Sequence, residues 1–236
     1  DVGGEYNPDA GRFDHHQRGG AGERENGIPY SSFGLIWKKY GLAICENNQE
    51  VADAVDADLV STIDAIDCGY VKAISQGISL TQTISMFNPT WQENGDFDAC
   101  FDEAVDFASR VLTRFIAGIN AKDIVAKAIE GAEDPRVIVL AQYTPWKRTV
   151  HALSEEALYM IYPSNSGQWR IQTVPVEPGS FDDRKPLPKE WAGLSDKGLK
   201  DVTGIDDAMF CHNGLFIAGA ESFESTMKMA SIALQA

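Results

Sequence analysis

The chain has 236 residues, of which 44% are hydrophobic, and its formal net charge is −15. This length is sufficient for one large or two modest globular domains, and no apolar run reaches the roughly 18 residues that a membrane-spanning helix needs. Four dispersed cysteines without a CxxC pair argue against a disulfide framework or a zinc ribbon, and the acidic charge argues against nonspecific binding of polyanions.

The first half is predicted to be mainly helical. It opens with "DVGG", typical of a strand end and a glycine turn, and continues with the turn-rich "YNPDAGRF". Residues 19–29 contain five glycine or proline positions and predict a mobile loop. Helices are predicted to begin near Ser31 or Ser32, after the N-cap Asn48, and after Asp96.

Apolar spacing predicts which side of each helix is buried. The expected buried residues are Phe33, Ile36, Trp37 and Tyr40 in the first helix, Val51, Val55, Leu59 and Ile63 in the second, and Phe97, Phe101, Val105, Ala108, Leu112, Phe115 and Ile119 in the third.

After "GAEDP" the pattern changes to strands, at "RVIVLAQ", "ALYMIYP" and "QWRIQTVPV", and the chain closes with a strand, a glycine turn and a helix. The charge changes at the same place. Residues 1–134 contain 23 acidic and 10 basic residues, whereas residues 135–236 contain 12 and 10. We therefore predict two domains, 1–134 and 135–236, with the boundary near 131–136.

The triplet Asp14-His15-His16 is the first candidate for chemistry. Consecutive residues of an extended segment point to opposite sides, so the two rings are not expected to converge on one ion. One ring can bind a metal while the other faces a substrate, and Asp14 can fix a ring tautomer by accepting its N–H. The alternative interpretation is a surface turn with solvated histidines.

A second candidate is the carboxylate pair Asp64 and Asp67, three residues apart on neighbouring positions of one helix face. Ile63 and Ile66 flank the pair, so at least one carboxylate is expected near apolar groups, where it needs a cation. The alternative is a solvated pair at the end of a helix.

Asp1 is the third element, because a carboxylate at the end of a strand in an open α/β sheet points into the ligand crevice. Aspartate and histidine from three segments would form a site suited to Mn²⁺ or Mg²⁺. Two such ions would activate a water molecule and hold a phosphoryl group.

The segments "DVGGEYNPDAGRFDHHQR", "IDAIDCG", "GQWRIQTVPVEPGSFDDRKPLPKEWAGL" and "FCHNGLFIAG" together resemble the melanocyte-proliferating-gene family, a branch of the DHH phosphoesterase superfamily. The resemblance covers essentially the whole chain. It implies an α/β fold with a DHH-type parallel-sheet catalytic domain and a smaller α+β C-terminal substrate-binding domain. It also implies a Mn²⁺- or Mg²⁺-dependent phosphoesterase mechanism and 3′–5′ exoribonuclease activity.

The resemblance also implies roles for individual residues. Asp1 resembles a metal-bridging aspartate, His15 a metal ligand, His16 its substrate-facing catalytic neighbour and Asp14 the orienting acid. The later metal ligand is Asp64 or Asp67, and the family pattern favours Asp64. The residues assigned to the substrate phosphate are Arg170, His212, Gly214, Gly219 and Arg18.

Other residues of the second half have two interpretations. A mid-strand Arg170 can bind phosphate or simply face solvent. The tryptophans Trp146 and Trp169 can stack on bases or pack in the core. Four basic residues in predicted loops are candidates for a basic rim: Lys147, Arg148, Arg184 and Lys185.

Two departures from the family pattern affect these expectations. A first motif of the type HxxxFHxDE would lie upstream of Asp1, so the chain is expected to begin after its first strands, to hold an incomplete two-metal site and to be inactive by itself. The family's closing His…Ser-Gly-Phe-Ile-Gly-Gly turn is replaced by "HNGLFIAG", in which the glycines are shifted or replaced.

The expected substrate is RNA or a short oligonucleotide, and the acidic first half favours short substrates. The alternatives are a small-molecule phosphatase or pyrophosphatase that uses the same metal residues, and a non-catalytic binding scaffold. No membrane partner is expected, and a homodimer is one option for the assembly. The expected location is intracellular: cytoplasmic in a bacterium, nuclear or mitochondrial in a eukaryote.

Overall fold

A computed structural model describes residues 3–71 and 78–236. Residue contacts divide the chain into two compact units, 1–120 and 121–236. The limits predicted from the sequence, 1–134 and 135–236, concern functional domains and remain a prediction.

The described part of the first unit is mostly helical. Its strands β1 (Tyr6–Asn7) and β2 (Arg12–Phe13) pair antiparallel. Its helices are α1 (Ser32–Ile44), α2 (Gln49–Val55), α3 (Ser61–Asp67), α4 (Leu80–Ser85) and α5 (Phe97–Asn120), with a π-helical segment (Asp56–Val60) between α2 and α3. Among the described residues of this unit there is no parallel strand pair, so the DHH-type parallel sheet remains a prediction.

The predicted helix starts are confirmed: α1, α2 and α5 begin at Ser32, Gln49 and Phe97. Local capping bonds explain why the first two could be predicted. The Ser31 hydroxyl accepts from the backbone N–H of Gly34 at the start of α1, and the Asn48 side chain accepts from the N–H of Val51 at 3.2 Å. A side-chain acceptor at this position satisfies a backbone donor that the helix leaves unpaired.

The predicted inner face of α1 is only partly correct. Trp37 is buried, but Ile36 is 39% exposed and Tyr40 is 41% exposed, while Leu35 has no exposure. At Gly34, an added Cβ would overlap the side chain of Asp64. The face of α1 that contains Gly34 is therefore closely packed. A prediction that counts only large apolar residues misses this face, because glycine has no side chain.

The long helix after Asp96 is confirmed as α5, but its predicted burial is wrong. No residue of α5 is buried, and Phe97 and Phe101 are each 67% exposed. Its C-terminal half does pack against the first unit's core, through Leu112, Phe115, Ile116 and Ile119. The spacing of apolar residues predicts which face of a helix is apolar. Whether that face is buried depends on whether another part of the protein packs along its whole length.

The second unit is built on a five-stranded sheet in the order β3-β4-β5-β7-β6. The strands are β3 (Val137–Val139), β4 (Tyr159–Pro163), β5 (Trp169–Thr173), β6 (Ala208–Cys211) and β7 (Ile217–Ala220). The helices are α6 (Lys122–Glu130), α7 (Lys147–Leu153), α8 (Asp196–Thr203) and α9 (Phe223–Gln235). Strands β3 and β4 are parallel and the other neighbours antiparallel, so the fold is mixed α/β with a mixed sheet.

The predicted strands are confirmed, and the closing segment contains one more strand, β7, after its turn. Side chains of β4 alternate between two cores: Tyr159 and Ile161 belong to one, Met160 and Tyr162 to the other. Because successive strand residues point to opposite faces, both faces of the sheet are covered. None of the helices in the described stretches is long and apolar enough to cross a membrane.

Candidate functional site

The rings of His15 and His16 lie on the same side of the chain. Their centroids are 4.1 Å apart, with an angle of 34° between the ring planes. The prediction that they point to opposite sides is wrong, because strand β2 ends at Phe13 and the backbone then turns. The Asp14 carboxylate stabilises this turn, because it accepts a hydrogen bond from the backbone N–H of His16 at 2.9 Å. This contact is an Asx turn.

Asp14 also orients the ring of His16. The ring Nδ1 lies 2.8 Å from Asp14 Oδ1, and Gly4 N–H donates to Asp14 Oδ2 at 2.9 Å. The backbone N–H of His16, followed by that of Gly4 and the His16 ring, holds the pKa of Asp14 well below its usual range. An ionised Asp14 keeps the proton of neutral His16 on Nδ1 and leaves the Nε2 lone pair available. The predicted role of an orienting acid requires this geometry.

His15 connects the triplet to the helices. Its Nδ1 lies 3.2 Å from both the backbone nitrogen and the hydroxyl of Ser32, the first residue of α1. Its Nε2 lies 3.5 Å from Asp67 Oδ2, at the end of α3. The His15 side chain is 12% exposed and that of Asp67 is 41% exposed, so the pair is accessible from one side.

His15 belongs to both groups of metal-ligand-type side chains that the described residues contain. One group is Asp14, His15 and His16, and the other is His15, Asp67 and Cys68, with ligand atoms in each within 4.8 Å of one another. Burial, followed by the charges of Asp67 and Asp64, raises the pKa of the Cys68 thiol. Imidazole, carboxylate and thiol are ligand types of divalent cations; because the backbone N–H of Ser32 donates to His15 Nδ1, a neutral His15 ring carries its proton on Nε2, and a cation would have to displace that proton.

Asp64 occupies a different environment from Asp67. It has no exposure, and its Oδ1 accepts from the hydroxyl of Ser31 at 2.6 Å and from the backbone N–H at 3.1 Å. Its Oδ2 lies 2.7 Å from Arg24 Nη2. Asp67 is therefore the carboxylate that lies beside His15, whereas Asp64 is bound by Arg24 and Ser31; which of the two binds a cation stays a prediction. The third predicted ligand, Asp1, lies outside the described residues.

Arg24 is a central residue that the sequence did not reveal. It lies in the segment 19–29, which was expected to be a mobile loop, yet its side chain is only 10% exposed. Two guanidinium nitrogens bind Asp56 at 2.5 and 2.9 Å, and Nε binds Asp64 at 2.9 Å. Its pKa is set by burial, which lowers it, and by the bonds to Asp56 and Asp64, which raise it; the net direction is upward.

One signal could have indicated this cluster. The first half has many more acidic than basic residues, and a carboxylate among apolar residues needs a cation. The sequence contains no spacing rule that selects Arg24 for Asp64, which is 40 residues away.

Replacement of Gly34 by alanine tests how firmly Asp64 is held. An added Cβ would lie 2.6 Å from Asp64 Cγ, and Arg24 and Ser31 keep that carboxylate in place. We expect Gly34→Ala to lower the free energy of unfolding by about 1–3 kcal/mol, measured by urea denaturation. Gly118→Ala in α5 is the control, because nothing lies within 4 Å of its added Cβ; it should stabilise the helix by up to about 1 kcal/mol. Equal effects of the two substitutions would contradict this packing.

In the second unit, Arg170 and Gly219 form a pair. Arg170 on β5 lies opposite Gly219 on β7, where a Cβ would lie 2.6 Å from Arg170 Nη1. The guanidinium donates to Trp169 O at 3.2 Å and to Gln168 Oε1 at 2.9 Å, with its carbon 5.0 Å from the centre of the Phe210 ring. Burial lowers the pKa of Arg170. Gly219 therefore lies within a strand and makes room for the arginine; it is not part of the turn predicted to hold phosphate.

The turn after β6 contains His212 and Gly214. The N–H of Gly214 donates to His212 Nδ1 at 3.0 Å, which places the proton of a neutral ring on Nε2. Leu215, where the family pattern has a glycine before Phe-Ile, has φ 60°, a left-handed conformation that favours glycine. The backbone turn is thus formed although the glycine is replaced.

The remaining basic and aromatic candidates have mixed outcomes. Arg18 is exposed, in the turn that follows His16. Arg184 and Lys185 donate to backbone carbonyl groups at 2.7 and 3.2 Å, so their structural contacts argue against a free basic rim. Both tryptophan candidates pack within the unit: Trp146 is 2% exposed, and the Trp169 ring centroid is 4.8 Å from that of Phe223.

Comparisons with known proteins identify relatives over the whole chain. A family model described as "Uncharacterised protein family (UPF0160)" matches residues 1–234. The chain is 33% identical to the MYG1 exonuclease of Homo sapiens over 275 residues, covering 99% of this chain and 73% of the relative. It is 32% identical to the MYG1 exonuclease of Mus musculus (99% and 72%) and to MYG1 protein YER156C of Saccharomyces cerevisiae (99% and 81%). No solved structure matches significantly.

These matches confirm the family resemblance, while membership of the DHH superfamily remains a prediction. With a family model across residues 1–234 and relatives above 30% identity, the chain belongs to the MYG1 exonuclease family, UPF0160.

Proposed function

We propose that this protein is a divalent-metal-dependent phosphodiester hydrolase, a 3′–5′ exonuclease that acts on RNA or short oligonucleotides. The observation that carries the proposal is that His15 belongs to both groups of ligand-type side chains. It lies beside Asp67 on one side and, on the other, beside His16, whose ring is oriented by Asp14. The exonuclease names of the mammalian relatives support the same reaction class.

The residues proposed to hold the cation are His15 and Asp67. A cation there would act as a Lewis acid toward a phosphoryl oxygen and would lower the pKa of a bound water molecule. Asp14 keeps Nδ1 of His16 protonated, so that Nε2 of this side chain, which is 60% exposed, can bind a phosphoryl oxygen when protonated or accept a proton when neutral.

In the second unit, Arg170 and His212 are proposed to bind substrate phosphate. Arg170 is half-buried and contacts oxygen atoms of neutral groups and an aromatic face, so its charge is available for an anion. The Nε2–H of His212 is a further donor, because its Nδ1 accepts from Gly214. A guanidinium matches the geometry of phosphate oxygens.

The proposal predicts metal-dependent shortening of RNA from its 3′ end. The full-length protein, including any residues that precede Asp1, should degrade 5′-labelled single-stranded RNA with Mn²⁺ or Mg²⁺ and lose this activity with a chelator, followed on denaturing gels. Asp67→Asn should lose most of the activity, because an amide is a weaker ligand for a hard cation than a carboxylate. Asp53→Asn is the control, since Asp53 is exposed on α2 and should retain activity. Full activity of Asp67→Asn would exclude this site.

A small-molecule phosphatase or pyrophosphatase is the second candidate. The observation that favours it is the acidic first half of the chain, with 23 acidic against 10 basic residues over 1–134, because long polyanions bind through basic surfaces. Hydrolysis of pyrophosphate or dinucleotides, with no shortening of RNA, would select this alternative. Absence of both hydrolysis and metal binding would select a scaffold role.

A further inference from the structure

One face of the sheet in the second unit is less covered on β5 than on β4. On β4, Met160 has no exposure and Tyr162 is 6% exposed. On β5, Gln172 lies opposite Met160 and Arg170 lies opposite Tyr162, so all four side chains share this face. Arg170 and Gln172 are only partly buried. The face therefore presents a guanidinium and an amide group beside a closed core.

The hydroxyl group of Tyr162 fixes the orientation of the Gln172 amide. It donates to Gln172 Oε1 at 2.5 Å. Burial raises the pKa of Tyr162 to about 12, so the hydroxyl keeps its proton and remains a donor at neutral pH. Within the described part of the chain, no acceptor lies within hydrogen-bond distance of Gln172 Nε2. Because its oxygen is engaged, the amide presents its N–H₂ group to a ligand.

Tyr143 places an exposed aromatic ring beside this hydrogen-bonded pair. Its ring centroid is 5.2 Å from that of Tyr162, with 66° between the ring planes, and the residue is 57% exposed. The contact with Tyr162 anchors the ring, while its exposure leaves ring surface available to a ligand. Aromatic side chains of this kind stack on nucleobases.

These groups match the parts of a nucleotide, and the amide distinguishes between bases. Arg170 offers a positive charge for the phosphate, and Tyr143 offers a ring for the base. Guanine and uracil carry a carbonyl oxygen at the position where adenine carries an amino group. An amide that can only donate pairs with the oxygen, whereas toward adenine it meets a second donor.

We propose that Tyr143, Gln172 and Arg170 form a nucleotide subsite that prefers uridine or guanosine monophosphate to adenosine monophosphate. Tyr143 stacks on the base, and Gln172 donates to its carbonyl oxygen. Tyr162 is a positioning residue, because it holds the Gln172 amide in the donating orientation. The inference deepens the proposed function and rests on it for the phosphate contact of Arg170.

Calorimetric titration of the full-length protein in the presence of a chelator measures this binding without hydrolysis. Uridine monophosphate should bind about three- to tenfold more tightly than adenosine monophosphate, the usual effect of one hydrogen bond. It should also bind more tightly than ribose 5-phosphate, which has no base. Tyr143→Ala should weaken uridine monophosphate binding by about 5- to 150-fold, the range for loss of one stacked base. Tyr143→Phe should retain the affinity, and so should Phe181→Ala, which removes a fully exposed ring of the same unit.

The preference between bases provides the second readout. Tyr162→Phe keeps the buried ring and removes the hydroxyl, so the Gln172 amide is free to turn its oxygen toward the amino group of adenine. The ratio of the two nucleotide affinities should therefore fall toward one in this variant. Gln172→Met should weaken uridine monophosphate binding by about three- to tenfold and leave ribose 5-phosphate binding unchanged. Circular dichroism verifies that each variant folds.

Three results would overturn the inference: no binding of uridine monophosphate, equal affinity for the uridine and adenosine nucleotides, or an unchanged preference in Tyr162→Phe. Unchanged affinity in Tyr143→Ala would remove the stacking ring and with it the subsite. None of these measurements depends on a metal or on hydrolysis. A protein that binds uridine monophosphate through Tyr143 but degrades no RNA would contradict the proposed function and leave the nucleotide subsite intact.

Discussion

Replacement of Arg24 by alanine is expected to lower the free energy of unfolding of the first unit by about 3–5 kcal/mol. The guanidinium is 10% exposed and binds both Asp56 and the fully buried Asp64. Its removal leaves an uncompensated carboxylate in a site without water contact, and an unpaired buried charge is strongly destabilising. Urea denaturation followed by circular dichroism measures the change. The urea concentration at the unfolding midpoint should fall, while the dependence of the unfolding free energy on urea concentration stays constant.

A matched control for this prediction exists in the same unit. Arg12 forms an ion pair with Glu5 at 2.7 Å, but the two side chains are 56% and 46% exposed. Arg12→Ala should therefore change stability by no more than about 1 kcal/mol. Arg24→Lys should recover only part of the loss, because an ammonium group cannot make the bidentate contact with Asp56. Similar losses in Arg12→Ala and Arg24→Ala would show that the Arg24 cluster is not a buried network.

Replacement of His16 by glutamine is expected to reduce the rate of metal-dependent hydrolysis by about 10²- to 10⁴-fold, the usual contribution of a positioned general acid or base. The His16 side chain is 60% exposed, so the fold should be retained. Single-turnover hydrolysis of the labelled RNA measures the effect, and unchanged urea denaturation excludes unfolding as its cause. A variant with full activity would remove His16 from the mechanism.

Asp14 should act through His16, and a double variant tests this. Asp14→Asn removes the charge that fixes the ring, with an expected loss of about 10- to 100-fold. In the His16→Gln background, the same substitution should cause little further loss, because the ring that Asp14 orients is absent. Independent, multiplying losses would indicate that Asp14 contacts metal or substrate directly.

The pH dependence of Asp14 follows from the direction of its pKa shift. Hydrogen bonds from His16 and Gly4 lower this pKa, so the stability that ionised Asp14 contributes is complete above the ordinary carboxyl value of about 3.9. It is lost as the pH falls through the lowered pKa. A loss of activity at a pH above the ordinary carboxyl pKa therefore does not arise from protonation of Asp14.

The site residues illustrate what could be predicted before the fold was known. The triplet of Asp14, His15 and His16 was recognisable because three ligand-type side chains are adjacent in sequence. The choice between Asp64 and Asp67 was not recognisable, since both lie on one helix face and have similar neighbours. Arg24, which lies 40 residues before Asp64, distinguishes them by binding one carboxylate and leaving the other beside His15.

The sequence by itself determined the features that depend on short-range contacts: the caps Ser31 and Asn48, the helix α5 and the strands β3, β4, β5 and β6. Capping bonds and apolar periodicity act within a few residues, so they can be read locally. Only the tertiary structure decided that α5 stays exposed at Phe97, that Gly34 faces Asp64 and that the two histidine rings lie together. These features depend on which distant side chain fills the neighbouring space, and that is set by packing and charge neutralisation between separate segments.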